Sequence, residues 1–142
     1  MVAKVVHGSR LASSFAARDR RLRQQRYRAG LWAEILAMAL LVLTGHRILG
    51  WRCRTGYGEI DIVAKRGLRL AFVEVKQRRS VDAFDCAITP RQAQRFERAV
   101  DHWLARRPTL AARSDVSLDA VWIMPWGWPR IARNHLARHT AG

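Results

Sequence analysis

The hydrophobic pattern along the chain begins with one strongly apolar segment. From Leu31 to about Thr44 the apolar residues fall on nearly every side of a helix, which is typical of a helix enclosed by its domain. Gly30 marks the predicted start of this helix, and Gly45 its end. The run is too short to cross a membrane, which takes roughly 20 apolar residues. The pattern therefore predicts a buried core helix.

Three predicted strands follow, at residues 46–54, 59–64 and 70–76. The second strand alternates, so that Ile60 and Ile62 are predicted on one face and Asp61 on the other. Short turns at 55–58 and 65–67 separate the strands, and short connections make neighbouring strands antiparallel.

A second helix is predicted after a polar loop. Thr89 is the candidate N-cap, Pro90 takes the first helical position, and the helix runs to about Arg107. Its apolar stripe consists of Phe96, Val100, Trp103 and Leu104. The last strand, 117–124, returns parallel to a neighbour through a right-handed crossover. The predicted fold class is α/β, an α-β-β-β-α-β core with a small mixed sheet flanked by helices.

Charge adds a candidate partner to this picture. The 142 residues carry a formal net charge of +15, which favours a polyanion, either nucleic acid or an anionic membrane surface. Residues 1–29 hold Lys4 and seven arginines against one acid, Asp19. They are predicted to form a flexible or loosely helical basic arm, and residues 30–142 a single domain.

Cysteine usage and the N-terminus bear on the compartment. Cys53 and Cys86 are isolated, with no Cys or His at metal-ligand spacing, which suggests a reducing environment. The N-terminus lacks the apolar region of a secretory signal. A cytoplasmic protein that does not enter the membrane is the resulting expectation.

Four acids in the predicted core region carry the candidate chemistry: Glu34, Glu59, Asp61 and Glu74. Glu34 interrupts the apolar helix, where an unpaired carboxylate would be costly to bury. Asp61 and Glu74 lie in adjacent strands, and Lys76 shares a face with Glu74 because alternate residues point the same way. Two carboxylates on one sheet face suit a hard divalent cation. The alternative is a structural salt bridge between Lys76 and one of the acids.

The choice of lysine at position 76 adds to this interpretation. The chain has 26 basic residues, of which three are lysine, so its coding bias favours arginine. An amine differs from a guanidinium because its surroundings can lower its pKa, and it can then hold or deprotonate a water.

At these residues the chain resembles a known family. The segments Gly58-Glu59-Ile60-Asp61-Ile62-Val63-Ala64 and Phe72-Val73-Glu74-Val75-Lys76-Gln77-Arg78 are similar to the paired motif of the YraN-like proteins. This widespread bacterial family is placed in the PD-(D/E)XK, or restriction-endonuclease-like, nuclease superfamily. The resemblance covers about residues 30–124. One departure is Pro90-Arg91-Gln92, where relatives often have a lysine.

The resemblance implies a site and a cofactor. Asp61, Glu74 and the Val75 carbonyl would bind Mg²⁺ or Mn²⁺, and Lys76 would position or activate the attacking water. Glu34 would add to the metal shell or bind a second ion. Supporting residues would be Glu59 and Gln77, and the nucleic-acid contacts would come from Arg78, Arg79, Arg91 and Arg95.

Three functions compete for this sequence. The first is a metal-dependent endonuclease or exonuclease that hydrolyses phosphodiester bonds in DNA, including branched or junction DNA. The second is a non-catalytic nucleic-acid-binding protein on the same fold. The third is a basic accessory protein for an acidic partner or a membrane surface. The acids favour the first over the second, because a pure binder of phosphates has no use for carboxylates facing them. A homodimer is left open.

Overall fold

A computed structural model describes residues 7–77, 88–124, 129–134 and 136, without the side chains of residues 7–14. In chain order its elements are α1 (His7–Leu43), β1 (Arg47–Thr55), β2 (Gly58–Arg66), β3 (Arg69–Gln77), α2 (Pro90–Ala105), α3 (Pro108–Ala112), β4 (Asp115–Ile123) and β5 (Arg130–Ala132). The chain divides into two compact units, residues 1–32 and 33–142. No helix of the described residues combines the length and apolar character needed to cross a bilayer.

The first helix is longer than the hydrophobic pattern predicts. The predicted start at Gly30 is wrong, because α1 already begins at His7 and Gly30 lies within it. Residues 11–28 are mostly alanine, arginine, leucine and glutamine, which are good helix formers. One glycine costs a helix about 1 kcal/mol, so this segment continues the helix through it. The division into an arm and a domain at residue 29 stays a prediction.

The sheet confirms the predicted fold class. Among the described residues it has five strands in the order β1-β2-β3-β4-β5. The β1–β2 and β2–β3 pairs are antiparallel, and β3–β4 is parallel, as the helical connection requires. The short antiparallel strand β5 was not predicted, nor was α3.

Hydrophobic clusters cover both faces of the sheet. One cluster joins α1 residues such as Ala37 and Leu41 to Ile62 and Val73. The other joins α2 residues such as Phe96 to Ile60 and Phe72. The prediction that Ile60 and Ile62 share a face is therefore wrong.

The lost alternation coincides with a distortion of β1. Arg52 has φ 49°, in the left-handed region that non-glycine residues seldom adopt. The paired register includes Trp51–Ile62 and Cys53–Ile60 but omits the position between them. The register is the same on both sides of this position, and the register shift of β1 lies earlier, between Ile48 and Gly50.

The start of α2 follows the prediction closely. The Thr89 hydroxyl accepts from the Gln92 backbone N–H at 3.2 Å, and the Gln92 side chain accepts from the Thr89 N–H at 3.1 Å. This reciprocal capping box fixes the first turn, with Pro90 in the first helical position. The helix ends at Ala105, just before the predicted Arg107.

A buried polar network that sequence analysis missed is centred on Asp119. This residue is 2% exposed and accepts from the Arg69 guanidinium at 2.9 and 3.0 Å. It also accepts from the Asn134 backbone N–H at 2.9 Å and from the Ser117 hydroxyl. The carboxylate thus ties the segment after β5 to β3 and β4.

Candidate active site

Asp61 and Glu74 are brought together by the pairing of β2 with β3. The paired register ends at Ile62 and Val73, and Asp61 and Glu74 are the next residue on each strand. Residues at opposed positions of an antiparallel pair point to the same face of the sheet. Both side chains line one cleft of about 250 Å³ between the sheet and α2. The predicted pairing of these two acids is therefore present in the geometry.

The backbone of Val75 completes this corner of the cleft. Its N–H donates to Asp61 Oδ2 at 2.7 Å, at the point where the regular β2–β3 pairing has ended. In an antiparallel ladder the N–H and C=O of one residue point to the same side. The Val75 carbonyl is therefore directed toward the Asp61 side of β3, where the resemblance expects a ligand.

The Asp61 carboxyl is the most strongly perturbed acid of the site. Burial, followed by the nearby charge of Glu74, raises the pKa of Asp61 to about 7. Glu34 raises this pKa further, while the Val75 N–H and Lys76 act in the opposite direction. Two carboxylates that repel each other in a partly buried cleft would stabilise a cation bound between them.

Lys76 forms a salt bridge with Glu74. Its Nζ lies 2.7 Å from Glu74 Oε1, and each side chain is about a quarter exposed. This contact is the salt bridge that the alternative interpretation, a purely structural role for Lys76, predicts. It also places the ammonium beside a candidate metal ligand. Lys76 also lines the cleft, so it borders the volume that a substrate would enter.

Glu34 is held by two neighbours on β1. Its Oε2 accepts from Trp51 Nε1 and from Arg52 Nε, both at 2.7 Å, and its Oε1 accepts from Arg52 Nη2 at 3.1 Å. These donors satisfy a carboxylate that is only 9% exposed. Glu34 is close enough to raise the pKa of Asp61, but it is not among the described residues that line the cleft. Its role as a metal ligand stays a prediction.

Sequence analysis missed Arg52 as a part of this site. Its left-handed backbone is a conformation that costs on the order of 1–3 kcal/mol in a non-glycine residue. In this conformation its guanidinium forms two hydrogen bonds to one buried carboxylate. No sequence signal points to this, because in an arginine-rich chain one further arginine is unremarkable.

The described residues contain no group of three or more His, Cys, Asp or Glu side chains placed to hold a metal ion. Two carboxylates are nevertheless a donor set that Mg²⁺ accepts. This ion commonly takes one or two protein carboxylates and fills its other positions with waters and phosphate oxygens. Asp61, Glu74 and the Val75 carbonyl fit such an ion, since they are hard oxygen donors at an open cleft.

The other predicted residues occupy varied places. Glu59 lines the cleft and lies 3.4 Å from the Arg54 guanidinium, in an exposed ion pair. Gln77 is exposed at the end of β3. Arg95 lines the cleft opposite the acids, and its Nε donates to the Tyr57 carbonyl at 3.0 Å. Arg91 is exposed in the first turn of α2, while Arg78 and Arg79 lie outside the described residues.

Comparison with known proteins gives a consistent result. Residues 33–123 match the model of a family described as "Uncharacterised protein family UPF0102". A UPF0102 protein of Parvibaculum lavamentivorans is 50% identical over 111 residues, which are 78% of this chain and 80% of that protein. One of Mesorhizobium japonicum is 45% identical over 114 residues, or 80% and 90% of the two chains. One of a Bradyrhizobium species is 42% identical over 129 residues, or 91% and 93%.

Proposed function

The chain belongs to the YraN-like family UPF0102, whose fold is restriction-endonuclease-like, and we propose that it is a metal-dependent nuclease acting on DNA. The observation that carries the proposal is the corner formed by Asp61, Glu74 and Val75. It combines two carboxylates on one sheet face with the Val75 backbone, whose N–H donates to Asp61. The net charge of +15 supports a polyanionic substrate.

The residues of the corner have separate parts in such a reaction. Asp61, Glu74 and the Val75 carbonyl would hold Mg²⁺ or Mn²⁺. A bound divalent ion supplies charge stabilisation for the phosphate and lowers the pKa of a coordinated water. Asp61 must lose its proton to serve as a ligand, which its pKa of about 7 allows near neutral pH.

Lys76 provides the hydrogen-bonding group beside these ligands. When Glu74 binds a cation, the Lys76 ammonium still has N–H groups that can donate to the attacking water or to a phosphate oxygen. An arginine at this position would keep the charge but would stay protonated and present a larger, planar group. Lys76→Arg therefore tests whether the amine itself matters.

The experiment measures both cleavage and binding of labelled DNA. The substrates are single-stranded, duplex, flapped and four-way DNA, each with Mn²⁺, with Mg²⁺ and with chelator. Wild type should cut at least one of them only when the metal is present. Asp61→Asn and Glu74→Gln should reduce cleavage by orders of magnitude, because the metal ligands are removed. Lys76→Arg should also fail.

Two controls separate an enzyme from a binding protein. Asp101→Asn removes an exposed acid on the far flank of α2 and should leave cleavage unchanged. DNA binding without metal should persist or tighten in the site variants, since a carboxylate that repels phosphate is gone. Cleavage that survives chelation, or variants that cut as well as wild type, would refute the proposal. Metal-independent binding without any cleavage would favour the non-catalytic alternative.

A further inference from the structure

A second cavity lies on the same side of α2 as the acidic cleft. It has a volume of about 530 Å³ and is formed by residues 53–55 of β1 together with His102, Trp103, Arg106 and Arg107. None of the described residues that line it is acidic. We name it the arginine cavity. Its lining of three guanidinium groups and an imidazole is suited to anions.

Arg107 is fixed in place at this cavity. Its guanidinium carbon lies 3.8 Å from the centre of the buried Trp103 ring, and its Nη1 donates to the Trp103 carbonyl at 3.2 Å. A planar guanidinium that is already ordered loses less freedom when it binds a phosphate. Arg106 beside it is exposed and makes no ion pair with a described acid.

A basic flank of α2 connects the arginine cavity to the acidic cleft. Residues 91, 95, 98, 102 and 106 follow one another at intervals of three or four, so they share one side of the helix. Four of them are arginine and one is histidine. The acids of this helix, Glu97 and Asp101, line a cavity on another flank. The helix is thus polarised, with its positive side facing both openings.

The turn between β1 and β2 borders the same path. The Tyr57 carbonyl accepts from Arg95, which lines the acidic cleft. The Tyr57 ring contacts the imidazole of His102, which lines the arginine cavity, with ring centroids 5.9 Å apart. The ring is about half exposed, so it offers a stacking surface for a base between the two openings.

From this arrangement we infer that the arginine cavity binds a backbone phosphate of the same DNA strand whose scissile phosphate occupies the acidic cleft. The inference rests on the proposed function for the identity of the strand. Arg95 and Arg106 are eleven residues apart, or about 16 Å along a helix axis. A strand stacked as in a duplex rises about 3.4 Å per nucleotide, so it covers this separation with roughly five nucleotides, and a more extended single strand covers it with fewer. Phosphate contacts carry no sequence information, so the cavity fixes length and orientation rather than base preference.

The test measures binding of oligothymidines of two to sixteen nucleotides to metal-free protein by fluorescence anisotropy. Affinity for wild type should rise in a step at a length of no more than about five or six nucleotides, because longer strands reach both openings. In the double variant Arg54→Gln/Arg106→Gln this step should disappear. For a twelve-nucleotide strand the slope of log affinity against log salt should flatten by about 0.7 for each phosphate that the variant no longer neutralises.

The matched control is Arg113→Gln, which removes an exposed arginine after α3 that lines none of the described openings. It should keep the length step and most of the salt slope. Both variants alter exposed side chains, and their unfolding midpoints should equal that of wild type.

Four results would overturn the inference. The first two are an intact step in the double variant and a loss of affinity in the Arg113→Gln control as large as that in the double variant. The others are a loss in the double variant that is as large for two-nucleotide strands as for long ones, and Arg54- and Arg106-dependent binding to anionic vesicles in preference to DNA. Because the measurement needs no metal, its outcome is independent of cleavage. A protein that cuts DNA without the length step would contradict only this inference. A protein that shows the step without cutting would contradict only the nuclease proposal.

Discussion

Replacing Asp61 with asparagine should stabilise the metal-free protein above neutral pH. Asparagine has nearly the same shape and keeps an acceptor for the Val75 N–H, but it carries no charge. In wild type, burial and the charge of Glu74 raise the pKa of Asp61 to about 7. The folded protein therefore holds a proton at a pH where the unfolded chain has released it. This group contributes stability below the unfolded pKa, and that stability is lost as the pH rises toward 7.

The size of the effect follows from the same values. Between pH 5 and pH 8 the folded carboxyl goes from protonated to ionised, whereas the unfolded carboxyl is already ionised throughout. About two pKa units of the shift develop in this interval, which correspond to roughly 3 kcal/mol. The free energy of unfolding of Asp61→Asn minus that of wild type should therefore grow by about this amount from pH 5 to pH 8.

Urea denaturation of both proteins at several pH values between 5 and 8 measures this difference. Titrating groups outside the Asp61–Glu74 pair are the same in both proteins, so their contributions cancel. Asp101→Asn serves as the control, because it makes the same chemical change at an exposed position that does not line the acidic cleft. A pH-independent difference for Asp61→Asn would refute the argument that burial, together with the charge of Glu74, raises the pKa of Asp61.

The same pair of proteins tests the cation. At pH 8 a divalent ion that binds between the two carboxylates should raise the stability of wild type, by about 2.7 kcal/mol at one hundred times its dissociation constant. Asp61→Asn should gain much less. Equal stabilisation of both proteins would mean that the ion binds elsewhere.

Three further predictions concern other parts of the chain. Asp119→Ala should lower the free energy of unfolding by about 3–5 kcal/mol, since it leaves the partly buried Arg69 without its carboxylate partner. A difference in the free energy of unfolding under about 1 kcal/mol, measured by urea denaturation, would contradict this. Deleting residues 1–28 should weaken DNA binding similarly for all sequences. The slope of log affinity against log salt should flatten by about 0.7–0.9 for each phosphate that the arm neutralises. An unchanged slope would mean that the arm binds no phosphate. Gly50→Ala should destabilise the protein by about 1–3 kcal/mol in thermal unfolding, because the new Cβ would lie 2.5 Å from the Cys53 sulfur. Gly56→Ala is the control, because its new Cβ would meet nothing within 4 Å. An equal loss of stability in both variants would exclude the clash as the cause.

The order of the elements and the pairing of the acids could be predicted from local patterns. Alternating positions and short turns determine which strands pair, and Thr89 with Pro90 determines where α2 begins. Because β2 and β3 are joined by a short turn, the register that buries Ile62 and Val73 also sets Asp61 beside Glu74. Lys76 lies on the same face as Glu74, because alternate residues of a strand point the same way.

The environment of these acids depends on residues far apart in the chain. The ion pair between Glu34 and Arg52 joins positions 18 residues apart, and Arg52 has a left-handed backbone that no local pattern encodes. Asp61 lies in the cleft between the sheet and α2, and its burial raises its pKa. The arginine cavity likewise exists only because residues 53–55 of β1 meet the end of α2. Sequence alone thus determined which carboxylates could meet, because strand pairing is local, while the tertiary structure decided their charge state and neighbours, because desolvation and Coulomb interactions depend on distances in space.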